Sequence, residues 1–422
     1  MKDLPIVVVG GGAAGLLAAI FAADASLRRG SRVLLLERTR DGGRKILVSG
    51  GGRCNVLPSR LDPARFVTDS SSNTLRKMLL SWPLAEQRRF FEEEAGIELA
   101  LEPETGKLFP VSNSSRQVRD HLYALARKRG IEIRFDTFVE DLTPKPDGWS
   151  VRLRDGEISA AAVIVATGGL SMPGTGSDGT GFEIVRRLGH TVHPTYPALT
   201  PLTAEPPRHA ALAGISLEVS ITAPGLGRGF RTQGGFLFTH RGYSGPSALD
   251  ISHLAVRSRM AGGPPQPLLV QWTEMGSEAW DQALQEGSGT VVGLLRRHLP
   301  DRLADALLAE AGVDAARPLH QLRRDERVRL VELLARAPLP WTGDEGYRKA
   351  EVTGGGVALS EVDPRTLESR IRPGLFLCGE ILDSFGPIGG YNFAWAWATG
   401  RAAGLGAGSQ AGAVRPLPES TE

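Results

Sequence analysis

Several features are scarce in this 422-residue sequence, and each scarcity excludes a class of protein. Cysteine occurs only at Cys54 and Cys378, which excludes a disulfide framework and favours a reducing, cytoplasmic compartment. The formal net charge of +2 is too small to indicate a nucleic acid or membrane partner by itself. No apolar run approaches the ~20 residues of a transmembrane helix. The first apolar run begins at Ile6, so we expect no signal peptide.

Glycine is abundant, and its 52 residues predict many tight turns. The apolar and charged fractions, 41% and 23%, are those of a globular protein. Because the chain is too long for one ordinary hydrophobic core, we expect about two or three domains. Composition therefore predicts a large globular enzyme.

The N-terminal segment predicts a strand, a glycine-rich turn, a helix and a second strand. The four apolar residues Ile6–Val9 indicate a buried parallel strand, and residues 16–25 are rich in Ala and Leu, as in a helix. The second strand, 32–36, ends in the acidic Glu37, which can accept hydrogen bonds from ribose hydroxyls. The turn has the G-x-G-x-x-G spacing: Gly10, Gly12 and Gly15.

Each glycine of this turn has a physical task in dinucleotide binding. Gly10 permits the tight turn, Gly12 lets the backbone approach a pyrophosphate, and Gly15 lets the helix pack closely on the strand. The first helical residues, Ala13 and Ala14, offer free N–H groups and partial positive charge to the phosphates. The segment therefore predicts a dinucleotide site rather than a structural turn.

A second glycine cluster, Gly50–Gly52, follows shortly after Glu37 and can form a nest of backbone N–H groups for an anion or a polar ring edge. A mobile surface hairpin is the alternative. Cys54 is either a thiol with its pKa lowered by positive surroundings or a packing residue. Three cations are expected to add positive charge near the pyrophosphate: Arg44, Lys45 and Arg53.

Residues 43–55, Gly-Arg-Lys-Ile-Leu-Val-Ser-Gly-Gly-Gly-Arg-Cys-Asn, resemble the signature of a flavoprotein family of the two-dinucleotide-binding-domain type. This family is sometimes labelled the aminoacetone-oxidase or bile-acid-reductase-like group. Ala-Thr-Gly-Gly at 166–169 and Gly-Glu-x-x-Asp…Gly-Pro-x-Gly-Gly-Tyr-Asn at 379–392 also resemble it, as does Thr-His-x-Gly-x-Ser-Gly-Pro at 239–246. The resemblance implies that the nucleotide is FAD and that the glycine cluster runs beside the flavin.

Motifs and resemblance together predict a set of site residues. Val139 is included because a residue at about this position contacts the adenine through its backbone in the family. The predicted proton donors are Cys54, His240 and Tyr391. The predicted cofactor-binding residues are Gly10, Gly12, Ala13, Ala14, Gly15, Glu37, Arg38, Gly43, Arg44, Lys45, Ser49, Gly50, Gly51, Arg53, Cys54, Asn55, Val139, Thr167, Gly168, Gly379, Glu380, Asp383, Gly389, Gly390, Tyr391 and Asn392.

The C-terminal part predicts the far end of a flavin site, because a strand is followed by acids, a glycine pair and a helix. Glu380 or Asp383 can accept hydrogen bonds from ribitol hydroxyls. The helix that begins near Gly390 can direct N–H groups at flavin N1 and O2 and stabilise negative charge there. By contrast, the glycine-rich stretch 171–179 is not expected to form a second nucleotide site.

The middle of the chain has a different character. Five prolines between 194 and 207 mark a boundary, and short alternating strands follow. Nine arginines fall between Arg296 and Arg336, but seven acids are interleaved with them. Such interleaving favours a solvated, salt-bridged helix face over a nucleic-acid surface.

We therefore expect an α/β fold with a Rossmann-like FAD domain over 1–193 and 345–422, interrupted over 194–344 by an inserted domain of a β-barrel and helices. The tail beyond Gly404 is expected to be disordered. Neither a metal site nor a membrane partner is expected, and the oligomeric state is not predicted.

Three function hypotheses remain open. The first is a reductase that passes hydride from flavin N5 to an activated C=C, in an enone-like small molecule or in a uracil of ribosomal RNA. The second is an FAD oxidase of a small amine or aminoketone, and the third is a non-enzymatic flavin redox sensor. NADH or NADPH is a candidate transient electron donor.

Overall fold

The fold was analysed in a computed structural model, which describes residues 4–26, 31–225 and 230–410. Its strands are β1 Ile6–Val9, β2 Val33–Leu36, β3 Leu57–Pro58, β4 Leu99–Glu102, β5 Lys107–Pro110, β6 Glu132–Arg134, β7 Val139–Lys145, β8 Gly148–Leu153, β9 Gly156–Ala160, β10 Ala162–Val165, β11 Val192–Ala198, β12 Leu202–Thr203, β13 Ser216–Ala223, β14 Phe230–Phe238, β15 Gly242–Ser244, β16 Leu269–Gln271, β17 Ala337–Pro338, β18 Gly343–Asp344, β19 Val352–Val357 and β20 Leu375–Leu377. Its α-helices are α1 Ala13–Ser26, α2 Arg44–Val48, α3 Ser72–Leu79, α4 Leu84–Arg89, α5 Ser115–Lys128, α6 Thr180–Arg187, α7 Pro246–Met260, α8 Ser277–Glu286, α9 Val291–Leu295, α10 Asp301–Ala311, α11 Arg324–Arg336 and α12 Tyr391–Gln410.

The chain divides into two units, of which the first comprises Met1–Tyr196 and Glu351–Glu422 and the second Pro197–Ala350. The predicted domain limits were 1–193 with 345–422 for the first and 194–344 for the second. Helix α12 continues to Gln410, beyond the point where the disordered tail was expected to begin. The remainder of that predicted tail, 411–422, lies outside the described residues.

The first unit is built on a parallel sheet with the strand order β20-β10-β1-β2-β6. Strand β1 lies at its centre, with Ile6 paired to Ala162 on one side and to Val33 on the other. All four residues of β1 are buried, as in strands covered by helices on both faces. Because the strands run in one direction, the segments that follow β1, β2, β10 and β20 meet at one edge of the sheet. This arrangement confirms the predicted Rossmann-like α/β fold.

Helices α1 and α12 pack closely because glycines recur at every fourth residue on one face of α12. A Cβ atom on Gly400 would lie 2.4 Å from the carbonyl oxygen of Ala14, and one on Gly404 would lie 2.3 Å from that of Ala18. The two helices therefore run in the same direction. Because Gly400 lies beside Ala14, the residue of α12 that is level with Ala13 comes eight positions after Tyr391, where α12 begins. At 1.5 Å per residue, the N-terminus of α12 therefore extends roughly 12 Å beyond that of α1.

The second unit contains a seven-stranded sheet with the order β17-β16-β13-β14-β15-β12-β18. Its core combines this sheet with helices that include α7, α8, α10 and α11. Within the described residues the sheet is open, with β17 and β18 at its edges, so the predicted β-barrel is not confirmed. Helix α7 begins at Pro246, as the preference of proline for the first helical turn predicts. Among the helices described, none is long and apolar enough to cross a membrane.

Candidate cofactor-binding site

A cavity of about 470 Å³ opens at the edge of the parallel sheet where β1, β2, β10 and β20 end. Its volume lies within the range of small-molecule and cofactor sites, roughly 300–1,000 Å³. The predicted cofactor residues that line it are Gly10, Gly12, Ala13, Ala14, Glu37, Arg38, Gly43, Arg44, Lys45, Ser49, Gly50, Gly51, Arg53, Asn55, Val139, Thr167, Gly168, Gly379, Glu380, Gly389, Gly390 and Asn392.

The glycines of the first turn divide into two that pack and one that faces the cavity. A Cβ atom on Gly10, where φ is +105°, would lie 2.5 Å from the carbonyl oxygen of Ala166. A Cβ atom on Gly15 would lie 1.8 Å from the carbonyl oxygen of Gly10, so this glycine serves helix–strand packing. A Cβ atom on Gly12 would have no protein atom within 4 Å. The space beside Gly12 is therefore open to a ligand.

Glu37 is a buried carboxylate that organises the loop after β2. Its Oε2 accepts a hydrogen bond from the Gly11 N–H at 2.7 Å. Its Oε1 accepts from the N–H and the hydroxyl of Thr39, at 2.7 and 2.6 Å. A carboxylate has about four acceptor positions, so Glu37 retains capacity for a ligand hydroxyl in the cavity.

Two glycines of the predicted nest at Gly50–Gly52, Gly50 and Gly51, line the cavity. All three glycines have left-handed φ values, of 56°, 66° and 88°, and they follow helix α2 in a short 3₁₀ turn rather than a hairpin. A Cβ atom on Gly51 would meet no protein atom within 4 Å. With its amide oriented to satisfy both partners, Asn55 donates to Leu57 O and accepts from the N–H of Gly390 at 2.9 Å. Asn55 thereby links the nest to the start of α12.

The family model for the HI0933-like protein Rossmann domain matches residues 4–406. The chain belongs to this family. It is 32% identical to the ribosomal RNA dihydrouridine synthase of Escherichia coli over 404 residues, which cover 94% of this chain and 96% of that protein. It is 31% identical to the 3-dehydro-bile acid delta(4,6)-reductase of Clostridium scindens over 407 residues, 95% and 98% of the two chains. The ribosomal RNA dihydrouridine synthase of Haemophilus influenzae is 32% identical over 410 residues, 94% and 97% of the two chains. This HI0933-like protein is an FAD-dependent oxidoreductase.

The three cations predicted to attract the pyrophosphate are each paired with a carboxylate. In this HI0933-like protein Arg44 Nε pairs with Asp41 at 2.7 Å, Arg53 Nη1 with Glu102 at 2.9 Å, and Lys45 with Glu380. Arg38, which also lines the cavity, pairs with Asp178. Burial alone would raise the pKa of Asp178, but hydrogen bonds from Arg38 and Thr180 outweigh it and hold that pKa below its ordinary value. The charges of these side chains are thus largely compensated within the protein.

Glu380 is the centre of a network that joins distant segments of the HI0933-like protein. Its Oε1 accepts hydrogen bonds from Ser171 Oγ at 2.6 Å and from the N–H and hydroxyl of Thr353 at 3.0 and 2.9 Å. Lys45 pairs with its Oε2 and also donates to Ser171 Oγ. Sequence reasoning missed Ser171 and Thr353, because nothing local marks residues so far apart as partners. Glu380 lines the cavity, but much of its acceptor capacity is used to hold these segments together.

Two further predicted residues make protein contacts instead of lining the cavity. Asp383 is buried and accepts hydrogen bonds from the hydroxyls of Thr68 and Ser70, at 2.9 and 2.8 Å. The Tyr391 hydroxyl accepts from Arg65 Nη1 at 3.1 Å. The side chains of Asp383 and Tyr391 are therefore engaged by other protein groups and are not among the residues that line the cavity.

Cys54 and His240 also lie outside the cavity lining. Cys54 is fully buried in the hydrophobic core, and burial raises its pKa to about 12, although a hydrogen bond with Ser49 lowers it slightly. Of the two alternatives for Cys54, a thiol with a lowered pKa is not found, and its burial in the core favours the packing residue. His240 is exposed in the turn between β14 and β15 of the second unit. The three predicted proton donors therefore lie in three different surroundings.

The structure adds lining residues that the sequence did not single out. Lys107 and Phe109 come from β5, and Glu351 immediately precedes β19. The glycine-rich stretch after β10 contributes residues including Met172 and Asp178. This stretch therefore contributes to the same cavity as the first glycine-rich turn. Within the described ranges, no group of three or more His, Cys, Asp or Glu side chains could hold a metal ion.

The cavity has the features that bound FAD requires. Besides the open spaces at Gly12 and Gly51, two lining residues carry buried hydroxyls, Thr167 Oγ1 and Ser384 Oγ. Neither hydroxyl has a hydrogen-bond partner among the residues that the structure describes. The two hydroxyls are buried by protein atoms alone, so it is the open space beside Gly12 and Gly51 that supports bound FAD.

Proposed function

We propose that this HI0933-like protein is an FAD-dependent reductase that saturates an activated C=C bond, with NADH or NADPH as the source of electrons. The observation that carries the proposal is the likeness over at least 94% of the chain to proteins whose names share one chemistry. A dihydrouridine synthase and a delta(4,6)-reductase both convert a ring C=C into a single bond.

The residues of the cavity suit the two ends of FAD. The N-terminus of α1 beside Gly12 would hold the pyrophosphate, and Glu37 would hold a ribose hydroxyl. The nest at Gly50–Gly51 and the N-terminus of α12 would hold the flavin ring. When bound, FAD supplies a ring that accepts two electrons and returns them as hydride. The partial positive charge at the start of α12 stabilises negative charge at that end of the cavity.

We propose an enone-like small molecule as the substrate class. The arginines of the second unit support this choice, because carboxylates engage them. Arg327 Nε contacts Asp281 at 2.8 Å, and Arg329 Nη1 contacts Asp325 at 3.1 Å. A phosphate backbone would have to displace these partners. A uracil of ribosomal RNA is the second candidate, and the two relatives named as ribosomal RNA dihydrouridine synthases favour it.

The test is a two-step anaerobic experiment on the purified protein with its FAD. The flavin is first reduced with NADH or NADPH and then mixed with an α,β-unsaturated ketone or with unmodified ribosomal RNA. We expect the ketone to reoxidise the flavin and to yield the saturated product. Reoxidation by RNA alone, with formation of dihydrouridine, would select the second candidate. Failure with both acceptors, together with oxidation of an aminoketone by oxygen, would refute the reductase assignment.

A further inference from the structure

Two charged side chains in the cavity are uncommitted, Lys107 and Glu351. The other charged lining residues all have partners, as the ion pairs of Arg38, Arg44, Arg53 and Lys45 and the hydrogen bonds of Glu37 show. Neither Lys107 nor Glu351 has a side-chain hydrogen bond or an ion pair within 4.0 Å to any residue that the structure describes. A charged group kept in a cavity without a protein partner is available to a ligand.

Lys107 is placed at the end of the cavity where α12 begins. It is the first residue of β5, and its side chain runs along the turn that precedes the helix. A Cβ atom on Gly389 would lie 3.7 Å from Lys107 Cε. The Lys107 ammonium thus adds a mobile positive charge to the fixed partial charge of the helix N-terminus.

Glu351 is held in place by its backbone and by the residues around it. Its carbonyl oxygen accepts a hydrogen bond from Ser171 Oγ at 3.3 Å, and the next residues form β19. Its side chain is exposed to the cavity, yet protein atoms surround it closely. This partial burial raises the pKa of Glu351, and attraction to Lys107 and Lys45 offsets part of that rise. The carboxyl group therefore keeps its proton to a higher pH than an ordinary glutamate does.

We propose that Lys107 and Glu351 act together on the substrate: Lys107 binds the carbonyl oxygen of the conjugated system, and Glu351 donates the proton to the α-carbon. This inference rests on the proposed reductase function. It replaces the proton donors expected from the sequence, because Cys54 and Tyr391 are engaged in protein contacts outside the cavity lining.

The reaction balances with these two groups. The β-carbon gains a hydride from reduced FAD, which a nicotinamide has supplied with electrons, and the C=C π bond breaks. The electron pair moves onto the carbonyl oxygen, where hydrogen bonds from the Lys107 ammonium stabilise the negative charge. The α-carbon then takes the Glu351 proton and the carbonyl group is restored. The Glu351 carboxylate regains its proton from water.

The test compares Lys107→Met and Glu351→Gln with two matched controls, Lys77→Met and Glu104→Gln. Lys77 and Glu104 are exposed and lie outside the cavity lining. FAD content and anaerobic reduction by the nicotinamide should match wild type in all four variants. Transfer to the enone should fall by roughly 10²–10⁴-fold in Glu351→Gln, because a positioned acid is lost. It should fall by roughly 10²–10³-fold in Lys107→Met, because an oxyanion donor is lost.

A binding measurement provides a readout that is independent of turnover. A para-substituted phenol, whose ionised form resembles the enolate, is titrated into the oxidised protein and followed by calorimetry. Its affinity should fall at least about tenfold in Lys107→Met, since a charge-assisted hydrogen bond is worth roughly 1.5–3 kcal/mol. It should be unchanged or higher in Glu351→Gln, because glutamine cannot carry the negative charge that an ionised fraction of Glu351 would place beside the phenolate.

The outcomes separate the two proposals. A wild-type protein that cannot reduce the enone refutes the proposed substrate class and function. A wild type that reduces it, with Lys107→Met and Glu351→Gln equal to their controls, overturns only this inference. Loss of FAD from either variant also overturns it, because the residue would then hold the cofactor. If a variant is insoluble, Lys107→Arg and Glu351→Asp replace it, and partial recovery of transfer relative to Lys107→Gln or Glu351→Ala supports the assignment.

Discussion

Replacing Gly12 by valine should abolish FAD binding while leaving the protein folded. A Cβ atom at this position meets no protein atom within 4 Å, so the larger side chain has room in the polypeptide itself. It would, however, occupy the space at the N-terminus of α1 where the pyrophosphate is expected. Gly12 differs in this respect from Gly15, whose Cβ atom would lie 1.8 Å from the carbonyl oxygen of Gly10.

The magnitude follows from the hydrogen bonds that the side chain would block. If the phosphate loses two backbone N–H contacts, each worth roughly 1.5–3 kcal/mol, the loss is about 3–6 kcal/mol. At 1.4 kcal/mol per tenfold change, the FAD dissociation constant should rise by roughly 10²–10⁴-fold. Gly12→Val should therefore purify without colour, and its Tm should equal that of wild-type protein stripped of FAD.

The assay measures FAD released on denaturation, the dissociation constant from titration of the apoprotein, and Tm. Gly263→Val is the matched control, because Gly263 also has open space and an ordinary φ but lies far along the chain in the second unit. Gly15→Ala should behave differently again and lower the Tm of the apoprotein itself, because it forces the helix from the strand. Stoichiometric FAD with wild-type affinity in Gly12→Val would refute the assigned position of the pyrophosphate.

Four further outcomes are expected. Glu37→Ala should raise the FAD dissociation constant about 10–100-fold, since one charge-assisted hydrogen bond is worth roughly 1.5–3 kcal/mol; unchanged affinity would mean that another residue binds the ribose. Cys54→Ala should keep transfer to the acceptor and lower unfolding stability by about 1 kcal/mol in urea denaturation, because the thiol is buried in the core; a large loss of transfer would restore it as proton donor. Ribosomal RNA binding, measured by filter retention, should show little salt dependence and no response to Arg327→Ala, whereas a steep fall with salt would indicate phosphate contacts. Enone reduction should decline as pH rises through the raised pKa of Glu351, because the protonated acid is the donor, and Glu351→Gln should show a flat profile in this range.

The elements that are signalled by residues close together in the chain could be predicted from the sequence. The strand, turn, helix and acid from Ile6 to Glu37 were recognised because each signal lies within a few residues of the next, and a dinucleotide site needs them in that order. The resemblance at 43–55 and 379–392 likewise named most of the residues that these two segments contribute to the cavity.

Whether the sheet of the second unit closes into a barrel could not be predicted from the sequence. Alternating strands with glycine turns are compatible with a closed barrel and with an open sheet, because side chains alternate between the two faces every second residue in both. Closure depends on whether the two edge strands pair. In the described residues they do not, and β17 and β18 remain at opposite edges.

The chemistry of individual side chains was decided by tertiary structure. Cys54 follows Arg53 in sequence, which suggested a lowered pKa, but burial in the core dominates and raises it. Arg53 forms an ion pair with Glu102. Lys45 pairs with Glu380, which lies 335 positions further along the chain. Desolvation and charge pairing act through space, so the order of residues determined which groups the chain carries, and only folding determined which of them remain free to react.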